Sequence, residues 1–159
     1  MELVNKKNIE EKNTIFIASD HAGYELKEQI VKYLATQNYC VDDLGCFDIN
    51  SVDYPDYAIE VAKSVKDNIE TAKGILICGT GSGMAITANK VKDIRAVNCF
   101  TSEMATMAVE HNNANIICIG ARIISPYNAL DIIQTFLDSK FEGGRHQVRI
   151  DKIHNLTGR

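Results

Sequence analysis

The run ILICGTGSGMAI, Ile75 to Ile86, constrains this chain more than any other stretch. It begins as an apolar strand that carries Cys78 on its last position. Gly79, Gly81 and Gly83 follow at alternate positions, with Thr80 and Ser82 between them, and a helical pattern starts at Met84. Glycines let backbone N–H groups converge, because φ is unrestricted and no Cβ blocks approach. A strand, a glycine-rich turn and a helix in that order aim those N–H groups at one point, at the positive end of a helix dipole. Such a nest takes an anion. Beside a thiol, the anion can be one that forms during a reaction.

The loop admits several readings. It can be a tight strand-to-helix turn and nothing more. A dinucleotide site calls for G-x-G-x-x-G, whereas this loop reads G-x-G-x-G. A phosphatase loop around a nucleophilic cysteine calls for a closing arginine, and positions 79–89 contain none. What remains is a loop that stabilises negative charge next to a cysteine acting as nucleophile or base.

The rest of the chain repeats the strand–helix alternation from Thr14 onward. TIFIAS, YCVDDLG, GILIC, IRAVNCF and NIICIG read as strands. Between them, Leu26, Ile30, Val31 and Leu34 mark one helical stripe, and Ala58, Ala62, Val65 and Ile69 another. Pro126 opens a helix carrying Leu130, Ile133 and Leu137; a proline fits a first turn because its missing N–H costs nothing there. Gly143-Gly144 then breaks the chain before a last helical segment, RHQVRIDKIHNL. This order implies an α/β fold of three layers, a five-stranded parallel sheet with helices on both faces. Residues 14–159 are expected to form a single domain with a C-terminal helical arm, and residues 1–13 a polar, loose extension. Ligands of such sheets bind at the carboxyl ends of the strands, near the point where strand order reverses.

Composition narrows the partners. A chain of 159 residues with a net charge of −4 holds one full-sized core and does not suit nucleic acid as a main partner. No apolar run approaches the roughly 20 residues of a membrane span. The N-terminus lacks the apolar core of a signal peptide. Five cysteines without paired spacing, four of them in or beside strand-like runs, are expected as buried thiols in a reducing cytoplasm. The four histidines show no H-x-H or H-E-x-x-H spacing, so neither a dedicated metal site nor a cofactor is expected.

Several chemically rich clusters stand at the joins between elements. Asp20 and His21 follow the first strand, Cys78 and the glycine loop the third, and Arg122 the fifth; Glu110, His111, Asn112 and Asn113 follow the fourth strand–helix pair. Each has a bland reading: Asp20 as a helix cap, His111 as a helix-end histidine, Cys78 as a small core residue. Their joint placement at strand ends favours function. Cys40, Cys46, Cys99 and Cys118 lack polar company of that kind. Arg145 and Arg149, spaced i, i+4, share a helix face and suit a phosphate monoester between them. A solvated basic face is the alternative, and Lys152 extends the same stripe.

Taken together, ASDHAGYELK, DYPDYA, CGTGSGMAITANK, RAV, HNNANIICIGAR and GGRHQVRIDKI resemble the type B ribose-5-phosphate isomerases of the ribose/galactose isomerase superfamily. The resemblance runs from Thr14 to the C-terminus. It implies a Rossmann-like, metal-independent enzyme, dimeric or tetrameric, with sites at subunit interfaces. It implies Cys78 as catalytic base with Thr80 beside it, Asp20 and His21 on sugar and phosphate, and His111 as the ring-opening histidine next to Asn112. Arg122, Arg145 and Arg149 match phosphate ligands. Some members place a carboxylate farther along the loop; here the cysteine is present and the loop has no acid.

The chemistry suits these residues. An aldose–ketose isomerase moves a proton from carbon 2 to carbon 1 through a cis-enediolate, and one base on one face suffices. A thiolate at Cys78 can act so, with the N–H groups of Gly79, Thr80, Gly81, Ser82 and Gly83 facing the developing oxyanion. A hexose 6-phosphate isomerase of the same superfamily, a nucleotide-binding module and a Cys78-dependent transferase are the other readings.

Overall fold

The computed structural model describes residues 13–159; apart from Asn13, the N-terminal extension lies outside the described residues. The chain alternates β1 (Thr14–Ser19), α1 (Tyr24–Thr36), β2 (Cys40–Asp43), α2 (Tyr54–Asp67), β3 (Ala72–Cys78), α3 (Ser82–Ala88), β4 (Ala96–Asn98), α4 (Ser102–Asn112), β5 (Ile116–Gly120) and α5 (Pro126–Asp138). It ends on α6 (Arg145–Thr157). All strands pair in parallel, in the order β2-β1-β3-β5-β4. This is the three-layer, Rossmann-like α/β fold that the alternation implies.

Side-chain alternation along the strands divides the core in two. Ile15, Ile17, Ile75, Ile77, Ile117 and Ile119 face α1, α4 and α5. Leu76, Cys78, Ile116 and Cys118 face α2 and α3. A central parallel strand is covered on both sides, which is why β3 is buried at every position but one. The edge strand β2 is half open, and Cys40 on it is exposed. That corrects the expectation of buried thiols for Cys40: only a central strand hides both faces. Among the described residues all five cysteines are free thiols.

Local chemistry sets the element ends. In α5, Ser125 Oγ accepts the Asn128 N–H at 3.3 Å and Pro126 opens the first turn. Its buried face is Ala129, Ile132, Ile133 and Phe136, with Leu130 and Leu137 packed at the margin. Helix α3 stops at Ala88 because Asn89 turns away to bond both the N–H and the carbonyl of Ala96, each at 2.8 Å. Helix α2 buries Ala58, Val61, Ala62 and Val65 and ends at Asp67, so Ile69 falls beyond the stripe and is 39% exposed.

On α1 the stripe contains a charge. Lys27 is fully buried between Leu26 and Ile30. Its ammonium lies 2.5 Å from Asp43 Oδ2 and 3.1 Å from Glu28, with the Phe47 and Tyr24 rings 5.4 and 5.6 Å away. A buried cation needs such partners. Asp43 in turn accepts the Gly45 N–H at 3.0 Å, so Lys27 anchors the loop that leaves β2.

In the strand order, the chain steps from β1 outward to β2 and then back across to β3. The carboxyl ends of β1 and β3 therefore border the switch point where open α/β sheets hold ligands.

Candidate active site

Two groups of the expected residues meet at that switch point. Asp20 leaves β1 buried, its N–H bonded to the Ile77 carbonyl of β3 at 3.1 Å. Its Oδ1 accepts the Gly23 N–H at 3.1 Å. Asp20 thus closes the turn before α1, whose N-cap is Gly23. A Cβ at Gly23 would lie 2.7 Å from the Ile77 carbonyl oxygen, so only glycine lets this turn press against β3. His21 is half-buried. Its Nδ1 accepts the Val52 N–H at 3.2 Å, which leaves the ring proton on Nε2.

Cys78 ends β3 and is 5% exposed. Its Sγ receives the Gly81 N–H at 3.1 Å. That contact separates Cys78 from the other buried cysteines. Cys46 instead directs its thiol to the Asp48 carbonyl oxygen at 3.4 Å, with Ser19 Oγ at 3.8 Å. An acceptor keeps the proton on sulfur, whereas a donor supports charge there. Cys46 therefore has polar company that its sequence context did not announce, an acceptor where Cys78 has a donor. Burial pushes the Cys99 thiol up to about 11 and the Cys118 thiol well above its ordinary value. Neither is a base at neutral pH.

The glycine loop is shaped by what crosses it. Gly81 has φ of +81°, and a Cβ there would lie 2.2 Å from Asn98 Oδ1. Asn98, at the end of β4, donates its Nδ2 to the Thr80 carbonyl at 3.0 Å and to Ser82 Oγ at 3.3 Å. Tyr54 covers Gly83, where a Cβ would lie 2.6 Å from its ring. Arg122 lies along Gly79, 3.2 Å from its Cβ position, and its N–H bonds the Gly79 carbonyl at 3.0 Å. The Gly81 N–H is spent on the thiol and the Ser82 N–H reaches Thr80 Oγ1 at 3.4 Å. The expectation that all five N–H groups face substrate oxygen narrows accordingly. Asn98 and Tyr54 were missed as loop neighbours, because their contacts are long-range and no local spacing signals them.

The remaining residues stand elsewhere. His111 and Asn112 close α4, a helix that starts beyond β4 and runs back along the sheet. They sit at the amino edge of the strands, not the carboxyl edge. Arg95, just before β4, donates Nε to the Asn112 and Asn113 carbonyls at 3.0 Å each, whereas Asn98 at the other end of β4 holds the loop at Thr80. Gly120 pairs with Cys78 and lies four residues along β5 from Ile116; at ~3.3 Å per residue these ends stand roughly 13 Å apart. This corrects the placement of His111 and Asn112 at a strand end: a residue after a strand–helix pair has travelled back along the sheet.

Helix α6 joins His111 there. Gly143 and Gly144 both take positive φ and turn the chain, and the Glu142 N–H bonds the Glu110 carbonyl at 3.1 Å. His146, 5% exposed, stacks its ring on His111 with centroids 4.4 Å apart and planes 10° apart, and its Nε2 lies 3.3 Å from Glu142 Oε2. The far end of α6 is held by His154, whose Nε2 lies 3.1 Å from Arg95 Nη1. Burial lowers the Arg95 guanidinium from its ordinary value, with Asp93 opposing. Arg145 and Arg149 are exposed on α6. Of the apolar residues on this arm, Ile150 is buried in its own chain, while Val148, Ile153 and Leu156 are 68%, 46% and 76% exposed.

Among the described residues, His111, Glu142 and His146 are the group that could hold a metal, their ligand atoms all within 4.8 Å of one another. Among the described residues no helix is long and apolar enough to cross a membrane.

The fold and the loop define an α/β protein with a thiol seated in a glycine nest at the sheet's switch point. Residues 15–153 match the family model described as Ribose/Galactose Isomerase, and the chain belongs to that family. Ribose-5-phosphate isomerase B of Clostridium thermocellum is 48% identical, with a TM-score of 0.89 over 91% of this chain and 97% of its own. The Mycoplasma genitalium ribose-5-phosphate isomerase B, solved with bound ribulose-5-phosphate, is 44% identical, with a TM-score of 0.89 over 92% and 97% of the two chains. A Listeria innocua ribose-5-P isomerase B is 44% identical over 142 residues, 89% of this chain and 95% of its own length.

Proposed function

We propose that this chain interconverts D-ribose 5-phosphate and D-ribulose 5-phosphate, with Cys78 as the base. The observation that carries the reading is the Cys78 Sγ receiving the Gly81 N–H at the switch point, in a family whose M. genitalium member holds ribulose-5-phosphate. The Cys78 thiolate takes the proton from carbon 2. The C–H electron pair becomes the C1–C2 double bond, and the carbonyl pair of carbon 1 moves to its oxygen. The same sulfur returns the proton to carbon 1 as the carbonyl forms at carbon 2 and a proton passes from O2 to O1. The Gly79–Gly83 loop stabilises the enediolate; one such donor is typically worth about 3 kcal/mol. Thr80 lines the loop, and Asp20 and His21 orient the sugar from β1. Arg122 supplies a cation at the same edge.

His111 opens the ring and Arg145 and Arg149 hold the phosphate, but they stand a sheet length from Cys78 on the same chain. The site is therefore composite: His111, Asn112, Arg145 and Arg149 come from a second copy of the chain. A homodimer with two equivalent sites satisfies this, since a twofold axis brings each edge of one chain to the other edge of its partner. The exposed Val148, Ile153 and Leu156 of α6 support that pairing. Five free thiols favour a reducing cytoplasm.

A panel of aldose phosphates assayed with purified protein tests the substrate. The highest kcat/KM is expected for ribose 5-phosphate, and a higher value for allose 6-phosphate or galactose 6-phosphate overturns it.

A further inference from the structure

We infer that His146 and Glu142 are positioning residues for His111, holding its imidazole in the plane from which it opens the sugar ring. The inference rests on the ring-opening reading of His111. A histidine in the last turn of a helix has a broad choice of ring orientation, because its χ2 torsion is soft. Here one face of His111 is covered by the buried His146 ring, 4.4 Å away and nearly parallel. Stacking on a ring face fixes the plane without using the ring nitrogens, which lie in that plane. His146 is itself fixed, since its Nε2 meets Glu142 Oε2 at 3.3 Å. Glu142 closes the arrangement by bonding its N–H to the carbonyl of Glu110, the residue before His111. A phenyl ring would fill the same space with no need of a carboxylate. The carboxylate sets the rotation of His146, and the stack passes that setting to His111.

The same three residues bring ligand atoms within 4.8 Å of one another, but the geometry speaks against a metal. Imidazole lone pairs lie in the ring plane. Two planes 10° apart and stacked send those lone pairs side by side, whereas a tetrahedral ion needs them to converge.

His146→Ala, His146→Phe, Glu142→Ala and His111→Ala decide the matter through two readouts. One is turnover of ribose 5-phosphate, which is mostly cyclic. The other is solvent-deuterium exchange into carbon 1 of ribulose 5-phosphate, which needs the Cys78 step but no ring opening. His146→Ala should lower kcat on ribose 5-phosphate about tenfold, a part of what a full acid–base group supplies, with KM and deuterium exchange near wild type. Glu142→Ala should show a smaller loss of the same selective kind, and His146→Phe, which keeps a flat ring but loses the contact to Glu142, should match Glu142→Ala; full activity in both would overturn the role of the carboxylate. Equal loss of both readouts in His146→Ala means general damage and overturns the inference. A selective loss in His111→Ala with full activity in His146→Ala overturns the inference alone. No selective loss in His111→Ala overturns the ring-opening reading and the inference with it. Zinc inhibition that disappears in His146→Phe would make the trio a metal site and also overturn it.

Discussion

The carboxyl edge of the sheet and its amino edge are built by different means. At the carboxyl edge, strand ends do the positioning. Cys78 is held in register with Gly120, Asp20 is tied to Ile77, and the glycine loop is pressed into place by Asn98, Tyr54 and Arg122. At the amino edge, a helix end and a C-terminal arm do it, through one stacked pair of rings, one imidazole–carboxylate contact and one guanidinium that grips two carbonyls. The first region is specified by backbone geometry and tolerates little change. The second depends on side chains and leaves Arg145 and Arg149 free in solvent. In the proposed reaction each region supplies part of the equipment, and the sheet between them keeps those parts apart on any single chain.

The largest effect should come from breaking the carboxyl edge at its sulfur. Cys78→Ala is expected to lower kcat by roughly 10³-fold, within the span of a general base, with KM and thermal midpoint little changed. Wild-type turnover in that variant would remove Cys78 from the role of base. Gly81→Ala attacks the same edge through the backbone. A side chain at φ of +81° is strained, and its Cβ would lie 2.2 Å from Asn98 Oδ1. It should lower kcat about a hundredfold, since a loop displaced by an ångström loses oriented contacts. Retention of full kcat would mean that the loop does not face the reacting carbons.

The amino edge should answer differently. Arg149→Ala is expected to raise KM for ribose 5-phosphate about tenfold, the weight of one charge-assisted contact, with little change in kcat. Unphosphorylated ribose should turn over as weakly as with wild type. A fall in kcat at constant KM would place Arg149 at the chemistry and blur the contrast between the edges. The smallest effect belongs to Cys40, exposed on the edge strand β2. Cys40→Ser should remove an exposed site of alkylation and leave activity unchanged. Cys99, whose thiol burial raises to about 11, should stay unlabelled near neutral pH.

Much of the carboxyl edge was legible in the sequence. An apolar run, a terminal cysteine and alternating glycines can only be a strand turning into a helix, and the structure gives β3 and α3 there. Asp20, Cys78 and Arg122 fall at strand ends as the alternation implies. The amino edge was legible in its residues but not in its position. Spacing alone does not say that His111 closes a helix that has run back along the sheet. Lys27 escaped for another reason: a lysine inside an apolar stripe reads as a surface residue until Asp43, sixteen positions away, is seen to meet it. Asn98, Tyr54 and the His111–His146 stack are also long-range contacts, formed only when separate elements pack.

On the proposed reading, a working site takes its carboxyl edge from one chain and its amino edge from another. Mixing Cys78→Ala with His111→Ala subunits, with exchange demonstrated by mass spectrometry of the assembled dimers, tests it most directly. Random exchange at equal amounts gives mixed dimers in which one site is intact and the other doubly defective. Recovery to about a quarter of wild-type activity is expected. No recovery above the two separate variants, in a sample shown to have exchanged, would place both residues of each site on one chain and contradict it.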